Sequence, residues 1–288
     1  MALQGKVALL TGASMGIGEA IASSLVEAGA NVILFSRSED KLRQLKEQLS
    51  VKSDVKITYR AVDVGNYEEV DAAVSSSIKE IGEIDILINN AGLAIGAPSI
   101  FSDLKPTDIM TMNNTNINGY MFMAHSVLNR SMMTRKAGTI LNITSITGLE
   151  VPPFPGEAVY HANKACQEAF TNALRNELSG TDIRVLALRP GVVATNFHSL
   201  RVGHDKKMYD EFIEGYEPLL AQDIAQGAIY MLQQPLNISV KALDIVPSGM
   251  TPWISESPMY CASAVCLLYK LAQRSINVFD RTWNERKE

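Results

Sequence analysis

A tyrosine and a lysine stand four positions apart in the segment Tyr160-His161-Ala162-Asn163-Lys164. In a helix this spacing places both side chains on one face, one turn apart. A free tyrosine has a pKa of about 10, and a neighbouring ammonium lowers that pKa by stabilising the phenolate. A shift of roughly three units would require about 4 kcal/mol of charge interaction. The pair therefore predicts a phenol that exchanges protons near neutral pH, although the same spacing also arises by chance on helix surfaces.

Two further polar residues stand where they could join this pair. Ser145 follows the run 139–143, whose residues predict a strand that ends near a hydroxyl. Asn116 lies inside a segment, about 106–133, that otherwise predicts one long helix. Because an amide in the middle of a helix competes with the backbone for hydrogen bonds, Asn116 predicts a local distortion or a water site.

A glycine-rich turn near the start of the chain could bind a charged ligand. The apolar run Val7–Leu10 predicts a strand buried on both faces, and an amphipathic helix follows it. Between them lie Gly12, Gly16 and Gly18. Free backbone N–H groups, the positive end of the helix dipole and missing Cβ atoms would together accept a pyrophosphate. The spacing differs from the Gly-x-Gly-x2-Gly dinucleotide fingerprint, so a purely structural turn is the alternative.

Two strand ends predict which dinucleotide would bind. The second predicted strand, 31–35, is followed by Ser36 and Arg37, without the carboxylate that would bond the 2′-hydroxyl of NAD. A guanidinium can donate two hydrogen bonds to one phosphate, so Arg37 predicts that the cofactor is NADP(H). The alternative is that Arg37 is only an exposed arginine at the start of a loop. Asp63 ends the third predicted strand and suits a hydrogen bond to the adenine amino group. Its alternative role is to cap the next helix.

The elements that would position these residues alternate between strand-like and helical segments, which favours a parallel sheet with crossover helices. The predicted strands are 7–10, 31–35, 55–62, 84–88, 139–143, 183–188 and 240–246. The predicted helices are 17–28, 39–49, 67–81, 106–133, 160–178 and 223–232. We expect an α/β fold over residues 1–250: a single-domain, Rossmann-like, doubly wound parallel sheet of about seven strands with helices on both faces. Ligands would bind at the carboxyl ends of the strands.

Composition argues against several other classes of protein. A net charge of -5 without a basic stripe argues against nucleic acid as a partner. No apolar run reaches the roughly 20 residues of a membrane span, and the chain enters its first strand without a signal peptide. The three cysteines and four histidines show no metal-binding spacing. We therefore expect a cytoplasmic protein with reduced thiols and no metal.

The segment 251–288 differs from the rest of the chain. Its apolar-rich stretch, 259–277, predicts a C-terminal helical extension packed on its own subunit or on a neighbouring one. An interfacial membrane helix is the alternative, but the polar face of the stretch offers only Lys270 and Arg274.

Taken together, the motifs resemble those of the short-chain dehydrogenase/reductase family, in the family's order over residues 6–250. They are Thr11-Gly12-x3-Gly16-Ile17-Gly18, Asn89-Asn90-Ala91-Gly92, Asn116, Ser145, Tyr160-x3-Lys164 and Pro190-Gly191-x3-Thr195. The resemblance implies a nicotinamide-dependent oxidoreductase in which Tyr160 is the general acid or base and Ser145 hydrogen-bonds the substrate oxygen. Lys164 would hold the nicotinamide ribose and lower the pKa of Tyr160, and Asn116 would fix a water that links Lys164 to solvent.

The resemblance also implies which residues contact NADP(H). They are Gly12, Ser14, Gly16, Ile17, Gly18, Ser36, Arg37, Asp63, Val64, Asn90, Ala91, Gly92, Tyr160, Lys164, Pro190, Gly191, Val193 and Thr195. Members of the family are commonly dimers or tetramers, so we expect a homodimer or homotetramer that packs through helix 160–178 and its neighbours.

Within the family, the runs 90–96, 178–185 and 197–205 are similar to the NADP-dependent 3-hydroxy acid (serine) dehydrogenase group and its fungal carbonyl-reductase relatives. This similarity implies a small carbonyl or alcohol substrate. A carboxylate on that substrate would need a cation, for which Arg201 is the candidate, and a solvated lid residue is the alternative. Two other functions stay open: a broad ketone and aldehyde reductase whose substrate lacks a carboxylate, and an inactive NADP(H)-binding scaffold.

Three features depart from the family pattern. Ser145 and Tyr160 are 15 positions apart, slightly more than is usual, and the extra residues fall in the Pro-rich segment 149–156, which we expect to border the substrate. Met15 stands at a position often basic in NADP-preferring members, which leaves Arg37 as the main determinant. Residues 251–288 extend beyond the usual end of the group.

Overall fold

The computed structural model describes residues 2–51, 53–150, 156–202, 205 and 217–248, and seven parallel strands form its centre. They are β1 (Val7–Thr11), β2 (Asn31–Ser36), β3 (Ile57–Ala61), β4 (Ile86–Asn89), β5 (Ala137–Ile143), β6 (Asp182–Pro190) and β7 (Ala242–Ile245). Their order in the sheet is β3-β2-β1-β4-β5-β6-β7, and every neighbouring pair is parallel. The predicted fold class, a doubly wound parallel sheet of about seven strands, is confirmed.

This strand order creates the place where a ligand can bind. The chain moves outward from β1 to β3, returns to β4 beside β1, and moves outward on the other side to β7. The connections after β1 and β4 therefore run in opposite directions, and a crevice opens at the carboxyl ends of these two strands. The glycine turn follows β1, and Asn90 follows β4, so both predicted motifs lie at this crevice.

Helices connect the strands and cover both faces of the sheet. They are α1 (Gly16–Glu27), α2 (Glu39–Ser50), α3 (Tyr67–Ile81), α4 (Pro106–Asn113), α5 (Gly119–Val127), α6 (Met133–Arg135), α7 (Ala158–Glu177), α8 (Asn196–Arg201) and α9 (Ala221–Leu232). Ala8 and Leu10 of β1 belong to a core shared with α1 and α9, whereas Val7 and Leu9 belong to a second core shared with α3, α5 and α7. Since alternate residues of a strand point to opposite faces, this division is the expected one for a strand covered on both sides.

The predicted long helix over about 106–133 is present but interrupted twice. Two π-helical segments, Asn114–Asn118 and Leu128–Met132, join α4 to α5 and α5 to α6. Asn116 lies in the first of them, so the predicted distortion is confirmed. Its side-chain amide donates to the carbonyl of Leu93 at 2.8 Å and its side-chain oxygen accepts from the N–H of Leu93 at 2.9 Å. The irregular segment thereby ties the helix to the loop after β4.

Several predictions concern residues outside the described ranges. They include the C-terminal extension 251–288, the domain boundary at residue 250 and the proline-rich part, 152–155, of the loop before α7. These stay predictions. In the described ranges, no helix combines the length and the apolar character that crossing a bilayer requires.

Candidate active site

The turn between β1 and α1 has the geometry of an anion cradle. Gly12 and Gly16 have φ values of 64° and 59°, which glycine adopts without strain. A Cβ on Gly18 would lie 2.1 Å from the carbonyl oxygen of Gly12, and one on Gly12 would lie 2.8 Å from the Cα of Ala91. No side chain caps the start of α1 at Met15, so the first N–H groups of the helix remain available to an anion. The other two predicted residues of the turn are half-buried: Ser14 and Ile17.

The loop after β4 supports this turn. The hydroxyl of Thr11 accepts hydrogen bonds of 3.0 Å from the N–H groups of Asn90 and Ala91. The side-chain amide of Asn90 donates to the carbonyls of Thr11 at 3.0 Å and of Gly12 at 3.2 Å. The structure therefore uses Asn90 to hold the glycine turn in place.

The end of β2 lies beside the same turn, because the N–H of Ala13 donates to the carbonyl of Phe35 at 3.2 Å. Ser36 is buried, and its hydroxyl accepts from the N–H of Ser38 at 3.2 Å. Arg37 is exposed, and it forms no ion pair with a carboxylate of the described residues. Its guanidinium is thus available to a phosphate at this end of the crevice.

The end of β3 excludes one of the two predicted roles of Asp63, and its contact with adenine stays a prediction. The carboxylate of Asp63 accepts from the N–H of Gly65 at 2.9 Å. The N-cap of α3 is Asn66, whose side chain accepts from the N–H of Glu69, so the alternative that Asp63 caps this helix is wrong. Val64 is buried against α5.

Tyr160 and Lys164 lie one turn apart on α7, and both are buried, with 8% and 5% of their surface exposed. The Lys164 Nζ lies 5.6 Å from the centroid of the Tyr160 ring. Burial raises the pKa of the Tyr160 phenol well above its usual value, and a hydrogen bond with Ser145 opposes this effect. Burial also lowers the pKa of Lys164 to about 7, and the negative charge of Glu168 acts in the opposite direction. Burial therefore determines the pKa of Tyr160 in this structure, and the lowering of that pKa by Lys164 stays a prediction.

Ser145 follows β5 directly and meets Tyr160 at the carboxyl edge of the sheet. The hydroxyl of Ser145 acts on the phenol of Tyr160, because it lowers the pKa of Tyr160 against the larger effect of burial. The Ser145 oxygen also accepts from the hydroxyl of Thr147 at 2.9 Å, which fixes its position. Close packing is possible because a Cβ on Gly148 would lie only 2.9 Å from the carbonyl oxygen of Lys164.

Asn116 is connected to Lys164 through a residue that the sequence analysis missed. The carboxamide of Gln167 donates to the main-chain oxygen of Asn116 at 2.7 Å and accepts from the Lys164 Nζ at 3.1 Å. A side-chain bridge thus joins the two residues that the resemblance links through a water. Gly92 lies against both of them, since a Cβ there would be 3.4 Å from the Asn116 side-chain oxygen and 3.9 Å from the Lys164 Nζ.

A second missed residue, Glu168, connects three elements of the site. Its carboxylate accepts two hydrogen bonds from Arg189, of 3.0 Å and 2.9 Å, and a third of 2.5 Å from the hydroxyl of Thr144. Thr144 precedes Ser145, and Arg189 precedes Pro190. The network therefore fixes the ends of β5 and β6 against α7.

The sequence contains a signal that could have found both residues. Buried polar side chains recur on one face of α7 at helical spacing, a pattern opposite to that of a helix that buries an apolar face. They are Tyr160, Asn163, Lys164, Gln167, Glu168 and Thr171.

The segment after β6 returns to the glycine turn. Pro190 ends β6, and its carbonyl accepts from the Ser145 hydroxyl at 3.4 Å. The N–H of Gly191 donates to the carbonyl of Ile245 in β7, and Val193 is buried. Thr195 contacts the glycine turn, since a Cβ on Gly16 would lie 3.4 Å from the Cβ of Thr195. The structure therefore brings the predicted residues of this segment to the rim of the crevice.

Arg201, at the end of α8, lies beside Tyr160. Its guanidinium carbon is 5.7 Å from the centroid of the Tyr160 ring, and the ring centroid of Phe197 is 5.6 Å from the same point. Only 5% of Arg201 is exposed, so the alternative of a solvated lid residue is wrong. The guanidinium forms an ion pair with Glu157, a residue that the sequence analysis did not single out and of which only 3% is exposed.

The described residues contain no group of three or more His, Cys, Asp or Glu side chains that could hold a metal ion. The chemistry available to the site is that of hydroxyls, an amine, amides and the two ion pairs Glu157–Arg201 and Glu168–Arg189.

Comparison with known proteins agrees with this arrangement. The sequence profile described as short chain dehydrogenase matches residues 6–204. The NADP-dependent 3-hydroxy acid dehydrogenase of Schizosaccharomyces pombe is 35% identical over 247 residues, which are 85% of this chain and 94% of that protein. Sulfoacetaldehyde reductase 2 of Chromohalobacter salexigens is 34% identical over 84% of this chain and 94% of its own.

A solved structure is also similar. The closed form of serine dehydrogenase complexed with NADP+ superposes with a TM-score of 0.78 and 31% identity, over 85% of this chain and 96% of that one. The matched profile spans more than half of the chain and includes the glycine turn and the residues around Ser145, Tyr160 and Lys164. The chain therefore belongs to the short-chain dehydrogenase family.

Proposed function

We propose that this protein is an NADP(H)-dependent oxidoreductase that interconverts a carbonyl compound and a secondary alcohol. The observation that carries the proposal is the meeting of Ser145, Tyr160 and Lys164 at the carboxyl edge of the sheet, beside the glycine turn. Two hydroxyls on neighbouring side chains can both bind one substrate oxygen. The names of the relatives, which include NADP-dependent and NADP+-bound enzymes, support the same reaction class.

The residues present fit NADP(H). The uncapped start of α1 and the glycines whose Cβ atoms would clash suit a pyrophosphate, and the exposed Arg37 suits a 2′-phosphate. Asp63 would accept from the adenine amino group, and Lys164 would hold the nicotinamide ribose. Further residues at the same edge of the sheet would complete the contacts with the cofactor. They are Gly12, Ser14, Gly16, Ile17, Gly18, Ser36, Val64, Asn90, Ala91, Gly92, Tyr160, Pro190, Gly191, Val193 and Thr195.

When bound, NADPH supplies the hydride. The protein's own task is then to hold the carbonyl and deliver a proton to its oxygen. Ser145 donates a hydrogen bond to that oxygen and stabilises the negative charge that develops on it. Tyr160 transfers its phenolic proton to the same oxygen. Burial raises the pKa of Tyr160, so the phenol carries its proton at neutral pH and can act as the proton donor in carbonyl reduction.

Two substrate classes follow from the surroundings of Tyr160. A 3-hydroxy acid such as serine is the first, because Arg201 lies beside the phenol and the relatives include a 3-hydroxy acid dehydrogenase. A carbonyl compound without a carboxylate is the second. The ion pair between Arg201 and Glu157 favours this second class, since the cation already has an internal counter-charge.

We also propose that the protein is a homodimer or homotetramer, with α7 at an interface. The side of α7 that faces away from the buried polar residues carries small residues at helical spacing, which would let a second helix approach closely. They are Ala158, Ala162, Ala165, Ala169 and Ala173. Light scattering after gel filtration tests this: Ala169→Arg should yield a smaller species, and an unchanged mass would contradict the proposal.

The reaction is tested by following NADPH oxidation with a panel of ketones and aldehydes, and NADP+ reduction with L-serine and 3-hydroxybutyrate. We expect turnover of at least one carbonyl compound and its loss in Tyr160→Phe. Tight NADPH binding without turnover of any compound would contradict the proposal and favour the inactive scaffold.

A further inference from the structure

The ion pair between Glu157 and Arg201 lies within the site rather than at the surface. Both residues are more than nine-tenths buried, and the guanidinium faces the ring of Tyr160. Glu157 immediately precedes α7, and its carbonyl accepts from the N–H of His161 at 2.8 Å in the first turn of the helix. Its carboxylate is therefore held three residues before Tyr160, at a fixed place relative to the reacting phenol.

This pair changes what Arg201 can bind. A buried arginine beside the reacting phenol would by itself attract a carboxylate or sulfonate on the substrate. Glu157 supplies that negative charge from within the protein. An anionic substrate must displace Glu157 to reach the guanidinium, and displacement would leave a carboxylate buried without its counter-charge, which is strongly unfavourable. A substrate that is neutral at this end leaves the pair intact.

We propose that Glu157 is a specificity-determining residue: by pairing with Arg201, it excludes anionic substrates and selects carbonyl compounds that are uncharged beside the reacting group. This inference rests on the proposed function and narrows its substrate class. Both curated relatives described above have names that denote acidic compounds, 3-hydroxy acids and sulfoacetaldehyde. We infer that this chain uses the same reaction on a substrate of different charge.

The test compares two ketones, acetoacetate and its uncharged methyl ester, as substrates with NADPH. We expect the native protein to have a kcat/KM at least about 10-fold higher for the ester. In Glu157→Gln, which keeps the side-chain size but removes the charge, the ratio of kcat/KM for acetoacetate to that for the ester should rise at least about 10-fold. The double variant Glu157→Gln/Arg201→Met should lose this rise, because the released cation is gone.

Glu177→Gln is the matched control, since Glu177 is an exposed carboxylate at the far end of α7. In this control, the ratio of kcat/KM for acetoacetate to that for the ester should equal the ratio in the native protein. If the native protein reduces neither ketone, both are tested as inhibitors of the best substrate of the panel. The ratio of their inhibition constants then replaces the ratio of their kcat/KM values. If Glu157→Gln does not fold, the binding of 3-hydroxybutyrate and of its methyl ester to the native protein with NADP+ decides, and we expect the ester to bind more tightly.

Three results would overturn the inference: a native preference for acetoacetate, an unchanged ratio in Glu157→Gln, or a raised ratio that persists without Arg201. Each of these leaves turnover of some ketone intact. Absence of turnover with every compound of the panel would instead contradict the proposed function, so the two failures are distinguishable.

Discussion

Lys164 donates a hydrogen bond of 3.1 Å to the side-chain oxygen of Gln167, one turn further along α7. The same carboxamide donates to the main-chain oxygen of Asn116, so its orientation is fixed and its oxygen faces the amine. The amine thus has a neutral acceptor in a buried site, which is consistent with its pKa of about 7. The charge state of Lys164 near neutral pH therefore depends on what residue 167 presents to it.

Replacing Gln167 should change that charge state in a direction set by the new side chain. In Gln167→Glu a carboxylate would stabilise the ammonium and raise the pKa of Lys164, whereas Gln167→Leu would remove an acceptor and lower it. We expect the apparent pKa near 7 in the pH dependence of kcat/KM to rise in Gln167→Glu and to fall in Gln167→Leu. Gln44→Glu, at an exposed position of α2, is the control. Slower turnover without these opposite movements would show that Gln167 is only structural.

The buried amine should also make stability depend on pH. The pKa of Lys164 is about 7 in the folded protein against 10.5 for the free group, so the unfolded chain binds the extra proton between these values. The cost of burying the charge is complete below pH 7 and disappears as the pH rises to 10.5. We expect Lys164→Met to raise the free energy of unfolding by a few kcal/mol below pH 7, with the gain shrinking above it.

Urea unfolding at a series of pH values measures this difference. Lys41→Met, at an exposed position of α2, should show no such dependence. A gain for Lys164→Met that is constant between pH 7 and 10.5 would contradict the lowered pKa.

Arg37 should determine the preference for NADPH over NADH. Its exposed guanidinium would form charge-assisted hydrogen bonds with a 2′-phosphate, each worth about 1.5–3 kcal/mol. Arg37→Ala should therefore reduce kcat/KM for NADPH about 10- to 100-fold and leave that for NADH nearly unchanged. Arg43→Ala, which removes an exposed arginine of α2, is the control. An equal reduction of kcat/KM for NADPH and for NADH would contradict a contact between Arg37 and the 2′-phosphate.

The pairing of Glu168 with Arg189 should stabilise the fold. Glu168→Gln would leave a largely buried guanidinium with only the exposed carboxylate of Asp244 as its counter-charge, and we expect the free energy of unfolding to fall by about 3 kcal/mol. Glu168→Gln combined with Arg189→Met should recover part of that loss, because both charges are then absent. Asp40→Asn breaks an exposed pair and should change stability by less than about 1 kcal/mol. A loss as small as that of this control would contradict a structural role for the buried pair.

The sequence predicted the parts of the fold that depend on local pattern. Continuous apolar runs located β1 and β2, which are buried on both faces, whereas the less apolar β3 and β7 were located as strand-like segments beside predicted helices. The third strand was predicted as 55–62 and forms only over Ile57–Ala61, since periodicity locates ends poorly. Asn116 predicted a distortion correctly, because its amide cannot stay unbonded inside a regular helix.

The parts that the sequence did not show depend on which residues meet in space. Burial raises the pKa of Tyr160, and spacing along a helix shows the neighbouring amine but not the depth of burial. Arg201 was identified as a cation for substrate, but its partner Glu157 lies 44 positions away in the sequence, and no local pattern joins them. Gln167 and Glu168 were visible only as polar positions on a helix whose buried face happens to be polar.

The most direct test of the account is the rate of ketone reduction by Tyr160→Phe, measured with saturating NADPH and a ketone that the native protein reduces. The variant loses only the phenolic oxygen that delivers the proton, so we expect kcat to fall by at least about 100-fold while fluorescence titration shows NADPH still bound. A variant that reduces the ketone at the native rate would contradict the central claim that Tyr160 is the proton donor.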